Sequence, residues 1–141
     1  MSFEKIDINN KETVSGRNCI IIYNFNSKEL KSIKNYANIL GIKDHIILSS
    51  KDAESIIKDV LENNLVSNSE DGIKQKALIF NAISPAKMNM FIENLKKIKI
   101  NNILKAVVTE TSKEWTVNTV ISNLIAERIA MKTGKEIEHT L

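Results

Sequence analysis

CIIIYNFNSKEL (residues 19–30) is the stretch from which the fold is read. An unbroken apolar run, Cys19 to Tyr23, gives way to turn-forming polar residues. Ser27, Lys28 and Glu29 then precede Leu30, Ile33, Ala37 and Leu40, which recur at helical spacing up to Gly41. Continuous rather than alternating apolarity marks a short strand covered on both faces, and the period that follows marks an amphipathic helix. Gly41 is a natural residue for the position just past a helix end.

The pattern recurs along the chain. HIIL (residues 45–48), ALIF (residues 77–80) and LKAVV (residues 104–108) read as three further strands. Helical periods follow each: Ala53, Ile56, Ile57, Val60 and Leu61; then Met88, Phe91, Ile92, Leu95 and Ile98; then Val117, Val120, Ile121, Leu124 and Ile125, ending before Gly134. Ser27, Ser50 and Ser112 each open an SK[ED] triplet, so each is expected to cap a helix, with Glu29, Asp52 and Glu114 in the favourable first turn. Thr111 with Glu114 offers a capping box instead, and Ser84-Pro85 supplies a cap followed by proline at the first helical position. The polar segment Asn63 to Gln75 reads as one long loop.

Strands alternating with helices predict an α/β fold. We expect a three-layer, flavodoxin- or Rossmann-like sandwich with a four-stranded parallel sheet in the order 2-1-3-4. Cys19, Ile21, Ile47, Ile79 and Val107 are the expected strand core. Residues 1–18 read as a loose arm, 19–132 as a single domain and 133–141 as a tail.

Composition narrows the function classes. The chain has 141 residues, 43% hydrophobic and 26% charged, with no apolar run of the ~20 residues that a membrane helix needs. The amino-terminal residues lack the apolar centre of a secretory signal. One cysteine, Cys19, leaves no internal disulfide, and a cytoplasmic setting is expected. The net charge of +3 rests on lysine, with Arg17 and Arg128 as the only arginines, which argues against a nucleic-acid surface. No glycine-rich phosphate loop, dinucleotide fingerprint or nucleophile elbow follows a strand, and His45 and His139 have no metal-ligand spacing, so no cofactor is expected.

Doubly wound sheets bind ligands beyond the carboxyl ends of their strands. On the parallel reading, those ends gather Asn24, Asn81, Thr109 and Trp115, with Lys28 and Lys113 supplying positive charge. Tyr23, Phe25, Phe80 and Trp115 are expected at the same edge. A plainer reading has the asparagines holding turns and the aromatics closing the core. The function expected is a non-catalytic binding or interaction module. The alternative is an enzyme, or a degenerate one, for a small anionic substrate. The partners in view are a small anion, another protein or a second copy of the chain.

IIYNF, LIFNAIS, AVVTETSKEWTV and LIAER together resemble an uncharacterised family of small bacterial α/β domains common in low-GC anaerobes. The resemblance runs from about Cys19 to about Lys132, and AVVT-x-TS-x-x-WT is its most specific part. Glu110 stands where the family pattern leads one to expect proline. The resemblance implies an α/β domain and assigns no catalytic residue, substrate or cofactor.

Overall fold

The structure, a computed structural model, describes residues 16–100 and 102–140, with side chains described as far as residue 132. Most of the expected arm and Leu141 lie outside the described residues. In chain order the elements are β1 (Cys19–Tyr23), α1 (Ser27–Ile39), β2 (His45–Leu48), a 3₁₀ turn (Ser50–Asp52), α2 (Ile57–Val60), β3 (Ala77–Asn81), α3 (Pro85–Lys97), β4 (Leu104–Val107), a second 3₁₀ turn (Ser112–Glu114) and α4 (Val117–Thr140).

The sheet order is β2-β1-β3-β4, as expected, but the sheet is mixed. β1 runs parallel to β2 and β3 parallel to β4, whereas the central pair, β1 and β3, is antiparallel. The cause lies in the connection. A parallel β3 would require the chain to travel back along the whole sheet, and the expected second helix is reduced to the four residues of α2, about 6 Å of rise. The loop that follows stays at the carboxyl end of β1. There the Tyr23 hydroxyl donates to the Ile73 carbonyl (2.7 Å) and the Asn24 amide to that of Lys74 (2.5 Å). β3 therefore begins where β1 ends, with Tyr23 opposite Ala77.

Both central strands are buried on both faces, which is why their apolarity is continuous. Ile20, Ile22, Leu78 and Phe80 pack under α1 and α3 with Ile33, Ala37, Phe91 and Leu95. Phe80 and Phe91 meet edge to face at 6.0 Å. Cys19, Ile21, Tyr23 and Ile79 pack on the other face with Ile57, Val60, Val117 and Ile121. The outer strands are different: Ile47 and Val107 are 42% and 36% exposed, so neither belongs to the core as expected.

The caps shift by a residue. Asn26, not Ser27, caps α1: its side chain accepts from Glu29 N–H, and Glu29 answers by accepting from Asn26 N–H. Ser49, not Ser50, does the same with Asp52. Thr111 makes no side-chain cap, and Ser112 pairs instead with Thr109 through reciprocal backbone-to-hydroxyl bonds of 2.9 and 3.0 Å. Ser84 caps α3 ahead of Pro85 as expected. α4 continues through Gly134 to Thr140 rather than ending before it.

The two halves of the chain repeat one plan: strand, helix, strand, 3₁₀ turn, helix. The shift that carries Ile21 onto Ile79 also carries left-handed Asn24 onto left-handed Ala82, the cap Asn26 onto the cap Ser84, and left-handed Gly41 onto left-handed Lys99. Beyond a slightly longer connection between α3 and β4, the shift that carries Ile56 onto Thr116 also carries the Ser49–Asp52 pair onto Thr109–Ser112. Equivalent residues meet on the axis between the halves. Ile21 is opposite Ile79 in the sheet, and Ile56 bridges Thr116. The fold is a pseudo-twofold pair of βαβα units.

Candidate functional site

The antiparallel centre sends the carboxyl ends of β1 and β2 to one edge of the sheet and those of β3 and β4 to the other. The six expected site residues are therefore divided. Asn24 lies at the first edge, where its positive φ (67°) and its bond to the Lys74 carbonyl make it a turn residue. Asn tolerates this left-handed conformation better than most side chains. Asn81, Thr109 and Lys113 come together at the second edge, in an open groove of about 600 Å³.

Trp115 and Lys28 join neither. Trp115 closes the second 3₁₀ turn, half-buried against the core on the α2/α4 face, with its carbonyl accepting from Ile57 N–H (2.9 Å). Lys28 is exposed in the first turn of α1, on the opposite face, beside a hollow shared with Tyr36 and Lys99. The expected aromatic cluster is likewise split. Tyr23 and Trp115 belong to one face of the sheet, Phe25 and Phe80 to the other. Alternation of side chains along each strand forbids the grouping that reading the strand ends in register implied.

The groove has an apolar floor of Leu61, Val107 and Val108, and its rim carries Arg17, Lys58, Glu62, Glu110 and Lys113. Thr109, two residues past the last paired residue of β4, is held by Ser112. Asn81, at the end of β3, donates its amide to the Arg17 carbonyl (2.7 Å). Each rim cation already holds a carboxylate: Arg17 with Asp44 (2.6 Å), Lys58 with Glu114 (2.8 Å) and Lys113 with Glu110 (2.9 Å). Hydrogen bonding to Arg17 holds the Asp44 carboxyl below its ordinary pKa, and Lys58 does the same to Glu114. A small anion would have to compete with a carboxylate at every cation here. The chemistry on offer is hydrogen bonding at the rim and apolar contact on the floor.

Arg17, Lys58 and Leu61 escaped the sequence reading, because they come from the first half of the chain and line a site at the end of the second. Arg17 carried some signal as one of two arginines, set just ahead of a strand. A second hollow, about 400 Å³, lies between β4 and α4 and holds none of the expected residues. Among the described residues, no three His, Cys, Asp or Glu side chains are grouped to hold a metal ion, and no helix is long and apolar enough to cross a membrane.

Residues 76–131 match the family model of a domain of unknown function, DUF3783. That segment is the second unit: β3, α3, β4, the 3₁₀ turn and much of α4. It is similar to an uncharacterised family, and the match stops short of the first unit. No curated protein and no solved structure matches the chain.

Proposed function

We propose that this chain is a non-catalytic binding module whose site is the groove at the carboxyl ends of β3 and β4. The observation that carries the reading is the convergence of Asn81, Thr109 and Lys113 over the apolar floor of Leu61, Val107 and Val108. A concave surface with an apolar base and a few polar groups at its rim is the ordinary form of a binding site. The pairing of every rim cation supports a ligand held by many modest contacts over one captured as a small anion. A bacterial, cytoplasmic setting goes with this reading, supported by the lysine-rich, arginine-poor composition and the lone cysteine.

The test is a thermal-shift screen of metabolites and short peptides, run on the native chain and on Val108→Trp, which fills the groove. A ligand that binds only the folded state raises the midpoint, by about 2.7 kcal/mol of stability at a hundred times its Kd. Hits that lose their effect in Val108→Trp support the groove as the site. Hits that bind Val108→Trp equally well contradict it.

A further inference from the structure

β4 is an outer strand of the sheet, and its outer side lies between two hollows. Along its inner side Leu104 and Val108 donate their N–H groups to the carbonyls of Lys76 and Phe80 (3.0 and 2.9 Å). Alternation then turns the backbone N–H and C=O groups of Lys105 and Val107 outward. Among the described residues no strand pairs with that side. The hollow on the α4 side, about 400 Å³, is lined by Leu104, Leu124 and Met131 and carries Glu127. The hollow on the α3 side, about 180 Å³, sets Ile92, Leu95 and Ile100 beside Lys96 and has no acid in its lining. Ile103, Lys105 and Arg128 line both, so the two hollows flank one stretch of strand.

An added strand uses such an arrangement. Its backbone bonds to the outward groups of the edge, and its side chains enter the two faces alternately. The two hollows differ in charge. Lys105 follows Leu104, which packs in the core on the α4 face, so its side chain projects to the α3 face. Arg128 reaches the edge from α4, where its guanidinium donates to the Ile103 carbonyl (3.2 Å) and the Asn102 side chain (3.5 Å), both neutral. Among the described residues neither Lys105 nor Arg128 holds a carboxylate, unlike the three cations at the groove rim.

We propose that the outer edge of β4 takes an extended segment of another protein in which acidic and apolar residues alternate, with the acids on the α3 side and the apolar residues on the α4 side. Charge decides the partner. A second copy pairing through β4 would bring two cationic edges together, and lysine on an edge strand opposes that pairing. An acidic strand supplies the carboxylates that Lys105 and Arg128 lack. The proposal stands whether or not the groove binds a ligand.

The probe is a short capped peptide alternating glutamate with valine, set against one alternating lysine with valine, and the readout is amide exchange on the full chain. In the free chain the Lys105 and Val107 amides should exchange at least about tenfold faster than that of Ala106, which faces β3. The glutamate peptide slows both, and the lysine peptide does not. Arg128→Glu, at an exposed position, weakens binding of the glutamate peptide by about tenfold, with Ala106 exchange checking that the sheet is intact. Lys105 and Val107 amides already slow in the dilute free chain would mean an edge paired within the chain. Slowing that follows protein concentration alone would mean a second copy. Either result overturns the proposal, and so does equal protection by the two peptides or protection by neither.

Discussion

Ile56 and Thr116 meet in an isolated antiparallel bridge, flanked by two matching bonds: Ile57 N–H to the Trp115 carbonyl (2.9 Å) and Val117 N–H to the Ser55 carbonyl (2.8 Å). Each bond is the symmetry image of the other. The bridge joins the two halves on the helix side, as the Ile21–Ile79 pair joins them within the sheet. The two units are thereby locked at both the sheet and the helix layer.

The caps give a first prediction. Asn26→Ala should destabilise the chain by about 1 kcal/mol, because it removes the side-chain acceptor of the Glu29 N–H, the half of the box that Asn26 itself supplies. Ser27→Ala, one residue on and exposed, should change stability by less than about 0.5 kcal/mol. Urea melts of the two variants check this; equal losses would contradict the assignment.

Gly72→Ala should cost about 1–3 kcal/mol, the range for forcing atoms into a closed space. The added methyl would collide with the Ser50 backbone, so the loop must lift from the first unit. Hydrogen exchange at the Ile73 amide, bonded to Asn118, should accelerate more than exchange at Ile21.

Acid should weaken the Arg17–Asp44 pair in a predictable direction. The folded Asp44 carboxyl titrates below its unfolded value, so the pair's contribution is complete above about pH 4 and is lost as pH falls through the folded value. The pair is partly exposed and screened, so the effect is at most about 1 kcal/mol. Asp44→Asn should flatten that part of the stability profile between acid and neutral pH, and an unchanged slope would contradict the assignment.

Burial raises the Cys19 thiol to about 11. A thiol-directed disulfide reagent at pH 8 should leave the native chain untouched and modify one thiol after unfolding in guanidinium. Stability should also decline above about pH 9, where an unfolded thiol ionises and the folded one does not.

The strands, the order of the sheet and the capping of α3 were legible because they depend on local pattern: apolar runs, turn residues, and Pro85 after Ser84. Strand direction was not. It turns on how far α2 extends, and the period through Ala53, Ile56 and Val60 looks helical although only Ile57–Val60 forms α-helix. Once β3 reverses, Asn24 and Asn81 must part, and a site inferred from parallel strand ends loses half its members. Thr109 and Lys113 stayed with Asn81 because β3 and β4 are parallel. The groove's first-unit wall, Arg17, Lys58 and Leu61, became visible only when the halves were seen to pack about an axis.

The direction of β3 against β1 decides which residues share an edge, and cross-strand nuclear Overhauser effects report it directly. The account predicts Hα–Hα cross-peaks at alternate pairs of the register from Cys19–Asn81 to Tyr23–Ala77, centred on Ile21 and Ile79. Cross-peaks placing Tyr23 beside Asn81 and Cys19 beside Ala77 would mean parallel strands. They would return Asn24 to the same edge as Asn81 and contradict the separate groove.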